Sequence, residues 1–376
     1  MIDLIISLLL AFGITLCSIP VIMHIAEAKH LFDVPDERKV HKKPIPSLGG
    51  VGIFAGFIMA ILVAISFKGD LVSFQYVVAA CIIVFFIGVK DDILIITPRK
   101  KFLAQLLAAC ILVFKGGFVV NNLYGLLGVY ELPLPLSYSL SVFAIVLVTN
   151  SLNLIDGVDG LAGSLGVLIC LSLGVFFIIN GDMGYGCLAF ALMGSLLAFL
   201  VFNFSPAKIF MGDTGSLLLG MAVSVMIIHF VQSAPTAPVL SLQSTPVVAF
   251  SVLFVPLFDT LRVFSIRMLK GRSPFSPDRN HIHHILLDKG LNHKMVTLSL
   301  AFANLIIIIL GGLGSFININ FLLAGLLLLG FSVAGLISMA KGKSKLRSVP
   351  EHEEDATGSK KVKLIHLGAK PAANDQ

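Results

Sequence analysis

Apolar residues run along this chain in blocks of about twenty, and charged residues are confined to the short intervals between them. A block of that length is what a helix needs to cross the ~30 Å hydrocarbon core of a bilayer. Eleven blocks lie near 2–23, 48–67, 71–89, 102–119, 137–154, 159–180, 183–203, 214–231, 245–266, 296–317 and 319–340. Gly and Pro recur inside them, which membrane helices tolerate. The pattern predicts an all-α polytopic membrane protein with about 11 transmembrane helices, 10 being the alternative count. No interval has room for a second domain. From Lys341 onward Lys alternates with Glu351, Glu353, Glu354 and Asp355, and 341–376 reads as a solvated, disordered tail.

Composition sharpens this. The chain is 57% hydrophobic and 13% charged, whereas a soluble domain carries ~25% charged residues. A soluble globular protein and a disordered one are both excluded. The five cysteines form no CxxC pair and read as small apolar helix residues. The first block lacks a basic leader and reads as a first span, not a cleaved signal. Charge then orients the bundle. With eleven spans, 25 of the 27 Lys and Arg fall on one side, leaving only Lys68 and Lys115 on the other. Positively charged loops stay in the cytoplasm, so the N-terminus is expected outside and the C-terminus in the cytoplasm. All five tyrosines fall on the outer side, as interfacial anchors do. The net charge of +6 follows from this topology and from attraction to the membrane surface; no nucleic-acid partner is expected.

Acids beside membrane helices are costly and mark function. Asp91, Asp92, Asp156, Asp159, Asp213 and Asp259 come from four separate segments, each at the expected cytoplasmic end of a helix. Around Asp156 the chain reads NSLNLIDGVDGLAGS, with Asn150, Asn153, Asp156 and Asp159 three apart and Gly157, Gly160 and Gly163 among and after them. Around Asp213 it reads FMGDTGS just before an apolar helix, where free N–H groups favour phosphate and oxygen ligands suit Mg²⁺. The segment KGRSPFSPDRNHIHH brings Arg279, His281, His283 and His284. Zinc is one reading of the histidines; with no cysteine near, contacts to phosphate fit better. The loop DVPDERKVHKKPIPSLGG adds Lys43 and its neighbours. Carboxylates, cations and Gly turns on one membrane face describe a site for a phosphorylated substrate and a divalent cation, next to lipid.

These motifs resemble the polyprenyl-phosphate N-acetylhexosamine-1-phosphate transferases, the superfamily of the WecA, TagO and MraY types (glycosyltransferase family 4). The resemblance rests on DVPDERKVHKKPIPSLGG, the Asp91–Asp92 pair in GVKDDILIITPRKK, NSLNLIDGVDGLAG, FMGDTGS, PLFDT and SPDRNHIHH. It spans about Ile2 to Ala340 and makes 1–340 one multi-pass membrane catalytic domain. It implies transfer of N-acetylhexosamine-1-phosphate, most simply GlcNAc-1-phosphate, from a UDP-sugar to undecaprenyl phosphate. UMP is released and a surface glycan begun, on the cytoplasmic face of a bacterial inner membrane. It implies catalytic roles for Asp91, Asp92, Asp156 and Asp159, with Asp91 as base or as orienting group for the acceptor. Metal binding falls to Asp213 with Asn153; the metal is Mg²⁺, and Mn²⁺ accepts the same oxygens. Substrate contacts fall to Lys43, Asn150, Asn153, Phe210 (stacking on uracil), Arg279, His281, His283 and His284, while Asp259 orders a helix end. The expected partners are UDP-N-acetylhexosamine, undecaprenyl phosphate and the bilayer; a homodimer stays open.

Two departures separate the branches. Where the muramoyl-pentapeptide branch has a lysine this chain has Ile95, and Ile282 interrupts its run of histidines. Both favour the WecA/TagO branch over a phospho-MurNAc-pentapeptide transferase. A secondary transporter is the reading from another class. Transporter sites lie near the midplane, whereas these acids cluster at one surface.

Overall fold

In the computed structural model, residues 2–31, 45–64, 73–94, 96–271, 273 and 280–339 are described, and each of the eleven apolar blocks is helical. The first eight are α1 (Ile2–Ala28), α2 (Gly49–Ala64), α3 (Phe74–Leu94), α4 (Pro98–Phe114), α5 (Leu134–Leu154), α6 (Leu161–Ile179), α7 (Met183–Asn203) and α8 (Gly212–Ser233). The ninth block is two helices, α9 (Thr245–Val252) and α10 (Phe254–Leu269), bent by 90°. A short α11 (Ile282–Asp288) precedes α12 (His293–Leu313) and α13 (Ile319–Met339). Seven of these are long and apolar enough to cross a membrane, and the bent pair raises that to eight. The protein is therefore a multi-pass, helical membrane protein. Lys43, Ile95, Arg279 and the tail 341–376 lie outside the described residues.

Three features depart from the sequence reading. First, the chain is not wholly helical. A hairpin of β1 (Asn122–Leu126) and β2 (Val129–Glu131) fills the loop before α5, pairing Asn122 with Glu131 and Leu126 with Val129. Leu127 and Gly128 turn it with φ of 51° and 80°, the two positive values of a type I′ turn. Second, the boundaries of two blocks shift: α3 runs past 89 to Leu94 and α4 starts before 102 at Pro98, so Asp91, Asp92 and Lys101 lie within helix ends. Third, the ninth block is broken. Pro256 has no N–H for the carbonyl of Val252, which a straight helix would require. Asn304 of α12 repairs the gap: its Nδ2 donates to Val252 O (3.1 Å) and its Oδ1 accepts from Val255 N (2.9 Å). A broken helix is tolerated inside a membrane when a neighbour satisfies its backbone in this way.

The bundle is built around α8, apolar on every side and almost wholly buried among α2, α3, α5, α6 and α9. By contrast α1, α12 and α13 bury only a narrow stripe and leave apolar side chains outward. Small residues let the inner helices meet at their backbones. A Cβ at Gly88 of α3 would stand 2.5 Å from Thr214 Cα of α8, and neither is the end of a flexible side chain. Gly88→Val is therefore expected to lower stability by ~3 kcal/mol or more, beyond ordinary overpacking. Thermal unfolding in detergent checks it, with Gly13→Ala, whose Cβ would meet nothing within 4 Å, expected to unfold with the parent. Equal melting of the two variants would refute the close contact.

Candidate active site

Four helix ends converge where α3, α4, α5 and α8 meet. The Lys101 ammonium of α4 pairs with Asp213 Oδ2 of α8, lies 3.5 Å from Asp91 Oδ2 of α3, and donates to Asn153 Oδ1 of α5 at 3.4 Å. Asn153 Nδ2 donates to Asp213 Oδ1 (2.7 Å) and to Ser216 Oγ (2.8 Å). Two carboxylates and an amide oxygen thus surround one cationic centre, made here by the protein's own lysine. One turn farther along the same two helices, Gln105 and Asn150 pair through their amides, Asn150 Nδ2 donating to Gln105 Oε1 at 2.7 Å. That pair fixes α4 against α5, and with it Lys101 against Asn153.

Asp92 does something else. Its Oδ1 accepts from Asp213 N (2.8 Å), and its Oδ2 accepts from Thr214 N (3.0 Å) and Thr214 Oγ1 (2.5 Å). A carboxylate from α3 caps the positive end of α8, as helix dipoles favour. This corrects the reading of FMGDTGS as a helix start with free N–H groups for phosphate: the amides of Asp213 and Thr214 are already taken. Gly212 makes the cap possible. It sits at φ +68°, and a Cβ there would meet Ser47 O at 2.1 Å and Asp92 Oδ2 at 2.6 Å.

The turn after α5 forms the next wall. Asp156 is half-buried; loss of solvent, and then the negative charges of Asp213, Asp92 and Asp159, raise its carboxyl well above the usual carboxylate range. Asp159 is buried and faces away from the cationic centre. Its Oδ1 lies 3.0 Å from His293 Nδ1 and its Oδ2 accepts from Ala207 N at 3.2 Å, while Thr297 Oγ1 of α12 donates to its backbone carbonyl (2.8 Å). Asn203 braces the same turn, accepting from Gly160 N and donating to Ile209 O, both at 2.8 Å. Phe210 is held by its backbone: its N–H donates to Pro46 O (2.8 Å) and its carbonyl accepts from Gly49 N (2.9 Å).

The histidines reach the site over this turn. Asp259 of α10, fully buried, accepts from Arg262 Nη2 and from Ile282 N, both at 3.0 Å, and lies 2.9 Å from His281 Nδ1. It therefore anchors the start of α11; the sequence reading has it order the end of its own helix, but it lies inside α10. His283 is buried, with its Nε2 2.7 Å from where a Cβ on Gly157 would be. Burial, reinforced by the neighbouring His284, pushes its imidazole down to about 3, so it is neutral at physiological pH. The rings of His281, His283 and His284 lie together, with 4.3 Å between the last two centroids. Asp259→Ala leaves Arg262 buried without its partner, a change that costs about 3–5 kcal/mol. A large fall in melting temperature together with lost activity is expected; unchanged melting would show that Asp259 anchors nothing.

The residues fit a hard cation. Mg²⁺ takes one or two carboxylates and fills its shell with water and substrate phosphate, and Asp91, Asp213 and Asn153 offer that set. Among the described residues no group of three or more His, Cys, Asp or Glu is arranged to hold a metal; the hard-cation set here is two carboxylates and one amide oxygen.

Residues 74–231, which contain α3 to most of α8 and thus Asp91, Lys101, Asn153 and Asp213, match the family described as glycosyl transferase family 4. A Bacillus subtilis protein named "Probable undecaprenyl-phosphate N-acetylglucosaminyl 1-phosphate transferase" is 34% identical over 300 residues, covering 79% of this chain and 81% of that one. The chain belongs to this family. Other relatives are the Yersinia pestis undecaprenyl-phosphate alpha-N-acetylglucosaminyl 1-phosphate transferase, 28% identical over 81% of this chain and 83% of its own, and the Mycobacterium tuberculosis decaprenyl-phosphate N-acetylglucosaminephosphotransferase, 34% identical over 70% of each.

For this glycosyl transferase family 4 chain the structure brings together Asp91, Asn153 and Asp213 directly, with Asp92 behind them and Asp156 beside them. Asn150 and Asp159 point into the protein. Lys101, Gln105, Asn203 and His293 were not singled out by sequence. Lys101 stood in the run PRKK, where it was indistinguishable from an orienting charge.

Proposed function

We propose that the protein transfers GlcNAc-1-phosphate from UDP-GlcNAc to undecaprenyl phosphate, with the carboxylate end of the bundle in the cytoplasm. The observation that carries this is the convergence of Asp91, Asp213 and Asn153 on one cationic centre at one end of the helices. The charge asymmetry supports eleven crossings of a bacterial inner membrane, with the N-terminus outside and the C-terminus in the cytoplasm.

In the reaction an oxygen of the lipid phosphate attacks the phosphorus that bears the sugar. The bond from that phosphorus to UMP breaks, and UMP leaves with the bridging oxygen. Anionic groups must meet, so positive charge and alignment supply most of the rate. Asp213, Asn153 and Asp91 would hold Mg²⁺, which neutralises pyrophosphate charge when bound. Asp91 also orients the acceptor, whose second pKa near ~6 leaves it largely dianionic without a strong base. Lys101 holds Asp91, Asn153 and Asp213 when no metal is bound; with the cation in its place, the ammonium would turn to the phosphates and supply a second positive charge. Asp92 acts through α8, by fixing where Asp213 stands. Asp159 with His293, and Asp259 with Arg262, hold the turns that carry Asp156 and the histidines. His281, His283 and His284 contact the sugar phosphate and Phe210 stacks on uracil; Arg279 and Lys43 keep the substrate roles that the family resemblance implies.

Donor competition tests the assignment. With undecaprenyl phosphate and Mg²⁺, equal amounts of UDP-GlcNAc and UDP-MurNAc-pentapeptide are expected to give a lipid product that carries GlcNAc. A muramoyl-pentapeptide product would move the protein to the other branch. No product from either donor, in folded protein, would favour the transporter reading.

A further inference from the structure

At the opposite end of the bundle a cavity of about 660 Å³ opens between the β1–β2 hairpin and the end of α8, lined by Asn121, Asn122, Tyr124, Glu131, Leu132 and Gln232. Its size is that of a small-molecule site. Gln232 lies nineteen residues along α8 from Asp213, so the cavity stands ~28 Å from the carboxylate centre at the helical rise of 1.5 Å per residue.

The walls are fixed. Asn320 of α13 clamps the hairpin, its Oδ1 accepting from Leu127 N (2.7 Å) and its Nδ2 donating to Gly125 O (3.1 Å). Gln232 Nε2 donates to Val119 O, and Leu132 N donates to Asn121 O at 2.9 Å. Tyr124 is held at φ +53°, a conformation few aromatic residues adopt, with Asn122 Oδ1 accepting its N–H at 2.6 Å. Strain of this kind persists where its surroundings over-determine it, often at ligand sites.

The lining selects the ligand. Among the described residues it has no Lys, Arg or His for an anion, and their single carboxylate is too few for a divalent cation. Leu132 alone is aliphatic, so an acyl chain finds no wall. Three carboxamides, a phenol ring and one carboxylate remain, groups that hydrogen-bond hydroxyls and pack against the face of a sugar ring. We propose that this cavity binds a neutral saccharide, free or as the headgroup of a glycolipid, at a site separate from the transferase centre.

Native mass spectrometry of the detergent-purified protein, saturated with UDP-GlcNAc to occupy the transferase site, tests this with two probes. One is soluble chitotriose; the other is glucosyl diacylglycerol, offered in nanodiscs against discs of phosphatidylglycerol alone. Adducts with chitotriose, or with the glycolipid only, support the site and distinguish its source. Glu131→Gln and Tyr124→Ala should each reduce the bound fraction about tenfold while transferase turnover stays within about twofold of the parent, which shows the variants fold. No saccharide adduct with either probe, or adducts that survive both substitutions, would overturn the proposal. Loss of transferase turnover in the parent would instead bear on the proposed reaction.

Discussion

Asp213→Asn is expected to lower turnover about 10³-fold, the scale at which removing a preorganised charge from a reacting centre acts. The substitution keeps size and shape. Asp92 caps α8 through the backbone of Asp213 and Thr214, so the helix start survives and melting should change little. What is lost is one of the two carboxylates around the cationic centre. A Mn²⁺ titration followed by electron paramagnetic resonance should therefore show weaker binding in the variant. Parent-like turnover with parent-like Mn²⁺ affinity would remove Asp213 from the metal site.

Lys101→Met is expected to lower turnover about 10²-fold, since a positive charge facing the phosphates is removed. It also has a signature in stability. Without the ammonium, Asp91 and Asp213 face each other with no shared counter-charge. In EDTA the variant should melt below the parent. Added Mg²⁺ should then raise its melting temperature more than the parent's, because the cation no longer competes with the lysine. Equal Mg²⁺ responses would mean that lysine and metal occupy different places.

Much of this was legible in the sequence because membrane insertion imposes a length and a periodicity that single residues cannot hide. The apolar blocks all emerged as helices. Asp91, Asn153 and Asp213 could be found because acids and amides at helix ends in an apolar chain are costly and stand out. Lys101 could not, since a lysine at a cytoplasmic helix end serves orientation as well as chemistry, and only packing shows that it faces Asp213. The hairpin was hidden for a local reason: Leu127 occupies a turn position usually given to Asn, Asp or Gly. The bend at Leu253 left one trace, Pro256, but whether a proline kinks or breaks a membrane helix depends on a neighbour able to satisfy the backbone, here Asn304, fifty residues away. Asp92 shows a subtler limit. Its place beside Asp91 suggested a catalytic role for each, whereas successive helical residues point in different directions, and only Asp91 faces the cationic centre.

The central claim is that this cluster of helix ends performs metal-dependent transfer of a sugar phosphate to a lipid. Purified protein in detergent, given undecaprenyl phosphate, UDP-GlcNAc and Mg²⁺, tests it most directly when UMP and lipid-linked sugar are measured together. Both products should form in equal amounts and both should vanish with EDTA. UMP without a lipid-linked sugar, or transfer that continues unchanged in EDTA, would contradict the account.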